Sequence, residues 1–213
     1  MKKYIFTLLL CVAGGFSLLA AQGSSIEVLD KTAAAFQNAG GIKAGFTIKA
    51  FAKGRRAGDT RGTIQLKGNK FVLQTAEMTT WFDGKTQWSY LSGSEEVNIS
   101  NPTEQELQSM NPYTLLYMYK KGFSHKLGSV KSFRGKAVYE VKLSASSKKQ
   151  SLSSLVIYVA RDSYQPLYIL AQQRDGSRSE IVITDYQPGQ RYADSFFVFN
   201  RKQHPNVELI DLR

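Results

Sequence analysis

The chain has 213 residues, 42% of them hydrophobic, with 28 Lys and Arg against 17 Asp and Glu and one cysteine, Cys11. A single cysteine excludes a disulfide framework and any metal site built from several thiolates. The formal net charge of +11 favours anionic partners such as a lipid surface or an acidic protein, or a surface kept soluble by its own charge.

Lys2 and Lys3 lead into an apolar run, Ile5 to Ala13, and then a small-residue stretch ending at Ala20-Ala21. This three-part pattern predicts a secretory signal peptide. Its apolar core falls short of the roughly 20 residues that span a bilayer, and Leu10 precedes Cys11 where a lipid-attachment site wants a small residue. Residues 1–21 are therefore expected to be cleaved, leaving 22–213 as one domain. Cleavage takes Lys2, Lys3 and Cys11 with it, so 26 basic residues face 17 acidic ones, a net charge of +9. Export argues against nucleic acid as a partner. A chain of about 190 residues buries roughly 70% of its unfolded surface, enough to be stable by packing alone.

Ser24 with Glu27 forms a capping box that opens a helix from Ile26 to about Asn38. Ile26, Leu29, Ala33 and Phe36 share one stripe of that helix, and Gly40-Gly41 ends it. The period then falls to 2. Ile42, Ala44, Phe46, Ile48 and Ala50 alternate with Lys43, Gly45, Thr47, Lys49 and Phe51. Gly62 to Lys67 continues the pattern, Gly68-Asn69 turns it, and Lys70 to Gln74 returns. Asp83-Gly84 between Trp81-Phe82 and Thr86 to Leu91 is a strong hairpin signal. Further strands are expected at 96–99, 123–127, 137–143, 153–160, 167–173, 180–186 and 196–199, about ten or eleven in all. Ser144 to Ser154 reads as a loop rich in Ser and Lys. The sheet pattern breaks between Pro102 and Gly122. There Thr103 with Glu106 makes a second capping box, and Asn111-Pro112 opens a helix from Tyr113 to Lys121 that is apolar over most of its circumference.

Few residues suggest catalysis. His125 and His204 are the only histidines and sit in no spaced metal motif. His125 falls on the apolar side or at the edge of its strand, and reads as structural. Asp83, Asp162, Asp175 and Asp194 occupy turn contexts, and Glu95-Glu96 reads as a surface pair. No phosphate loop, Gly-x-Ser-x-Gly elbow or Ser-x-x-Lys motif is present. What remains is a surplus of aromatic and branched apolar side chains on alternating strand positions, more than three small helices can cover, a layout that suits an apolar ligand cavity.

From Asp83-Gly84-Lys85 through Trp88 and Tyr90 the chain resembles the periplasmic outer-membrane lipoprotein carriers, the LolA-like family. Other motifs keep the family's order: Phe46-Thr47-Ile48-Lys49, Gly62-Thr63-Ile64, Phe71, Asn111-Pro112-Tyr113, and Phe196 to Phe199 followed by Pro205-Asn206-Val207 and Ile210-Asp211. The family's Arg-Pro pair before the Phe strand is replaced by Lys67-Gly68-Asn69-Lys70. Lysine lacks arginine's planar fork, so the lid-closing role of that arginine is not carried over.

The resemblance implies an α+β fold: a single curved antiparallel sheet, a half-barrel, with an N-terminal helix and a short helical lid over an apolar cavity. It implies a periplasmic, non-catalytic carrier that shelters lipoprotein acyl chains on their way from the inner to the outer membrane. Its partners would be lipoproteins, an ATP-driven inner-membrane exporter and an outer-membrane acceptor; it would act as a monomer without a cofactor. Phe46, Ile48, Ile64, Leu66, Phe71, Leu73, Trp81, Trp88 and Tyr90 are expected on the concave face, and Leu115, Leu116, Met118 and Tyr119 on the lid, with Met110 and Met118 as adaptable contacts. Basic segments Lys53 to Arg56 and Lys120-Lys121 face solvent or a partner. Two alternatives are an envelope module that binds lipid or fatty acid, and a lipid hydrolase.

Overall fold

A computed structural model describes residues 24–103, 106–107, 118–120 and 122–213. The expected signal peptide, Met110, Leu115, Leu116 and most of the expected helix from Tyr113 lie outside these residues, as does the side chain of Met118.

Helix α1 spans Ser25–Asn38 and starts as its capping box dictates: the Ser24 hydroxyl accepts from the Glu27 amide at 3.2 Å. Glu27 also pairs with Lys31 one turn on, at 2.7 Å. Its buried stripe is Val28, Leu29, Thr32, Ala33 and Phe36. Ile26, expected on that stripe, is 45% exposed in the first turn. Thr32 is admitted to the interior because its hydroxyl donates to the Val28 carbonyl at 2.8 Å. Gly40 stops the helix in the left-handed region, φ +71°. Ser24→Ala should lower stability by about 1 kcal/mol, read as a shift in the urea midpoint.

Among the described residues thirteen strands follow: β1 Ile42–Ala52, β2 Arg55–Lys67, β3 Lys70–Thr75, β4 Met78–Phe82, β5 Gln87–Leu91, β6 Glu96–Ser100, β7 Phe123–Leu127, β8 Ser132–Phe133, β9 Lys136–Ala145, β10 Leu152–Ala160, β11 Pro166–Gln173, β12 Arg178–Pro188 and β13 Glu208–Asp211. Their order is β13-β6-β5-β4-β3-β2-β1-β12-β11-β10-β9-β7, with β8 paired to β9 beside this path. Neighbours in sequence are hairpin partners almost throughout. The 83–86 connection forms as its sequence predicts: the Asp83 carboxylate accepts from the amides of Lys85 and Thr86 at 2.9 and 2.8 Å, and Gly84 takes φ +103°.

The expected half-barrel is not what forms. The sheet is open and neither closed nor strongly curved, ending at β7 on one side and β13 on the other. It is also mixed, since β13 runs parallel to β6. The physical reason lies in which face is apolar. Phe71, Leu73 and Phe82 join the cluster packed on α1, whereas Trp81, Trp88 and Tyr90 pack with Val97, Phe199 and Val207 in a separate cluster. Because neighbouring strand residues point to opposite faces, the apolar side changes between β4 and β6. One half of the sheet is covered by α1 and the other, from behind, by the C-terminal segment, so no common interior draws the two edges together. Of residues 196–199, expected as a strand, Phe196 and Phe197 instead end a 3-10 turn at Asp194–Phe197, and Val198 and Phe199 follow it outside any strand.

Candidate functional site

The α1 side of the sheet is an apolar surface built by register. Across five strands Ile48, Ile181, Ile169, Ile157 and Val141 pair in one unbroken row, and Leu127 on β7 extends it. In the other direction Ile42 pairs with Leu66, Leu66 with Phe71 and Phe71 with Phe82. Ala44, Ile64 and Leu73 form the row between. Phe46 crosses to Gly62, where an added Cβ would lie 2.6 Å from the phenyl ring and 2.3 Å from the Gln74 carbonyl. The glycine of the Gly-Thr-Ile motif is thus required by the neighbouring strand's carbonyl and by the ring that lies over it.

Of the expected ligand-lining residues, the structure therefore brings together Phe46, Ile48, Ile64, Leu66, Phe71, Leu73 and Tyr119 in one cluster with Val28, Leu29 and Phe36 of α1. It places Trp81, Trp88 and Tyr90 on the other face. Ile157, Ile169, Ile181 and Val141 belong to the same surface and were not singled out from sequence, although the period-2 pattern of their strands carries them.

Tyr119 is buried in the 3-10 turn Met118–Lys120, and its hydroxyl donates to the Asp30 carboxylate on α1. That hydrogen bond, with Lys120 at 3.6 Å, holds Asp30 below the ordinary carboxylate value. On the same side the Ser25 hydroxyl meets His125 Nδ1 at 2.9 Å. His125 thereby ties α1 to β7, a structural role. His204 stacks on Phe199 at 5.2 Å and sits 5.2 Å from Tyr90 in the opposite cluster.

Lys67 and Lys70, which stand where the family's arginine would be sought, are both engaged by the C-terminal segment. The Lys67 ammonium donates to the Tyr192 carbonyl at 2.8 Å and to Asp194 at 2.9 Å, and Lys70 reaches the other Asp194 oxygen at 3.0 Å. These lysines hold Asp194 below its usual value. A depressed carboxylate stabilises the fold above the unfolded value, and that contribution is lost as pH falls through the folded value. Wild type and Asp194→Asn should therefore differ in urea midpoint at pH 7, and the gap should close on acidification below about pH 4.

Glu140 is the one buried carboxylate among the described residues. Burial opposes its charge, but the Val130 amide at 3.0 Å and Lys142 at 3.3 Å outweigh this and leave it below the ordinary value. It staples the 128–131 loop as an anion and has no proton to give at neutral pH. Among the described residues no group of three His, Cys, Asp or Glu side chains gathers as a metal site, and no helix is long and apolar enough to cross a membrane.

Residues 16–177 match the family model described as outer membrane lipoprotein carrier protein LolA. No curated protein matches the chain. Among solved structures, an uncharacterized conserved protein from Thermus thermophilus superposes with a TM-score of 0.59 at 11% identity, over 88% of this chain and 98% of its own. A LolA superfamily protein from Nitrosomonas europaea aligns with a TM-score of 0.45 at 12% identity, over 83% and 98%. At such identities the Thermus likeness shows a shared fold and nothing finer.

Proposed function

The chain belongs to the outer membrane lipoprotein carrier protein LolA family, and from that premise we propose that it is a periplasmic carrier that shelters lipoprotein acyl chains between the inner and outer membranes. The observation that carries this is the continuous apolar surface facing α1, from Phe82 across β1 to Val141. Each methylene left in water costs roughly 0.8 kcal/mol. A multiply acylated protein therefore crosses an aqueous compartment only inside an apolar shelter. Phe46, Ile48, Ile64, Leu66, Phe71, Leu73 and Tyr119 contribute that shelter from the α1 side. We assign Leu115, Leu116 and Met118, whose side chains lie outside the described residues, to the same shelter. Trp81, Trp88 and Tyr90 serve the C-terminal segment instead.

The carrier is exported by the signal at 1–21, works as a monomer and needs no cofactor. It takes cargo from an ATP-driven inner-membrane exporter and passes it to an outer-membrane acceptor. Its side chains perform no covalent chemistry: they exclude water from the chains and let them go, and branched and aromatic contacts without directional bonds allow both.

The test is release. Purified protein lacking residues 1–21, added to spheroplasts that retain their inner-membrane lipoproteins, should bring those lipoproteins into the supernatant, and a triacylated lipoprotein should co-purify with it. Release no greater than with buffer, together with no acylated protein bound, would overturn the proposal. Recovery of free fatty acid or phospholipid alone would point to an envelope lipid-binding module.

A further inference from the structure

The α1 side of the sheet is apolar as far as β3 and, at Phe82, β4, and then turns polar in a graded way. Along one row Leu73 on β3 pairs with Thr80 on β4, Thr80 with Ser89 on β5, and Ser89 with Asn98 on β6. Opposed residues of neighbouring strands share a face, so all four look toward the α1 side. Leu73 and Thr80 are buried, Ser89 is half-buried and Asn98 is exposed. In the adjacent row Phe71 and Phe82, with ring centroids 5.3 Å apart, give way to Gln87 and then Ser100.

Two polar atoms on this ramp have no partner among the described residues. Thr80 is 0% exposed, yet its hydroxyl makes no hydrogen bond. Gln87 donates through Nε2 to the Ser89 hydroxyl at 2.9 Å, while its buried Oε1 accepts from no group among the described residues. An unpaired buried polar atom costs stability, and native interiors hold few of them. One donor and one acceptor stand on paired strands, at the border between apolar surface and solvent. A ligand that is apolar at one end and carries both an acceptor and a donor at the other satisfies them.

We infer that Thr80 and Gln87, with Ser89 beside them, form a polar subsite for the ester-linked diacylglyceryl group of an acylated ligand. The Thr80 hydroxyl donates to an ester carbonyl, and Gln87 Oε1 accepts from an O–H or N–H of the same head. The acyl chains run over Leu73, Phe71 and Leu66, and the remainder of the ligand leaves past Asn98 into water. Thr80 is 0% exposed, and the head of the ligand supplies the partners that these two atoms otherwise lack. This rests on the carrier reading and adds a point at which the head of the cargo is recognised.

The test compares two probes. Diphenylhexatriene is a hydrocarbon without hydrogen-bonding groups and reports the apolar surface; dioleoylglycerol carries ester carbonyls and one hydroxyl. Thr80→Val and Gln87→Met, both close in shape to the residues they replace, should each weaken dioleoylglycerol about tenfold while shifting diphenylhexatriene far less. Thr80→Val should also raise the melting temperature of the empty protein, because it removes an unpaired buried hydroxyl. A synthetic S-diacylglyceryl lipopeptide run alongside distinguishes the sources of the group: tighter binding than dioleoylglycerol identifies lipoprotein, weaker binding identifies free glyceride, and in either case the variants should weaken it. Wild-type affinity for dioleoylglycerol in both variants, or equal loss of both probes, would overturn the subsite and leave the carrier reading standing. Wild-type protein that binds neither probe would overturn both.

Discussion

Ile48→Asp lowers lipoprotein release from spheroplasts more than about tenfold while costing the fold little, and Trp88→Asp does the reverse, losing about 3 kcal/mol or more of stability. The contrast follows from the two faces. Ile48 is half-buried at the end of the apolar row, between Thr60 and Ile181. A carboxylate there still reaches water in the empty protein. An acyl chain laid along the row would strip that water, and an unpaired buried charge is far costlier than any single apolar contact can offset. Trp88 lies on the other side, opposite Trp81 and Ile99 and packed in the cluster that includes Phe199 and Val207. A carboxylate at that position loosens the C-terminal segment without touching the α1 side. Release is measured at equal protein concentration, and folding by thermal melting of both variants. Normal release by a folded Ile48→Asp protein would remove the α1 face as the acyl path; lost release by a stably folded Trp88→Asp protein would move the path to the opposite face.

The sequence makes the local devices legible and leaves the sidedness of the sheet hidden. Ser24 with Glu27, Thr103 with Glu106 and Asp83-Gly84 are each complete within a few residues, and each forms as read. Thr103, for example, receives the Glu106 amide at 3.3 Å, while its own amide donates to that glutamate at 2.7 Å. The apolar periodicity of β1, β9, β10 and β12 is also legible within each strand. What alternation cannot say is which of two faces a strand turns toward the helix. Trp81 and Phe82 are adjacent aromatics flanked by Thr80 and Asp83, so a polar residue stands on each side and alternation does not break the tie. On β5 the apolar pair Trp88 and Tyr90 and the polar pair Gln87 and Ser89 alternate cleanly, yet only the pairing of Phe82 with Gln87 shows that the polar pair faces α1. Expecting a half-barrel extended a local period across strands without register, whereas Phe46 and Trp88 fall in separate clusters. Arg55 to Arg61 escaped as strand because neither face of it is apolar; β1 alone holds it, through pairs such as Thr47 with Arg61 and Lys49 with Asp59. The parallel pairing of β13 with β6 joins residues over a hundred positions apart, and no local pattern announces it.

Phe197→Ala should cost about 3–5 kcal/mol, among the larger effects that one truncation can have, and lower the melting temperature by roughly 10 °C. The ring is 0% exposed, lies 5.7 Å from Tyr192 and 5.3 Å from Phe196, and its 3-10 turn packs on β3. Phe196 to Phe199 has the composition of a strand, but Asp194 at the head of the turn is gripped by Lys67 and Lys70 at the β2–β3 corner. That grip fixes where the segment crosses the sheet, and Phe197 fills the space it defines. The two contacts share one short turn, so their losses should not add. Combined with Asp194→Asn, Phe197→Ala should destabilise by less than the sum of the single changes, because a segment already detached has no anchor left to lose. Since this segment covers the face turned away from α1, a folded Phe197→Ala protein should still release lipoprotein. Urea unfolding of the four proteins of this cycle, with spheroplast release by Phe197→Ala alone, decides the matter: strict additivity would mean that the lysine grip and the buried ring act separately, and lost release without unfolding would make the segment part of the cargo site.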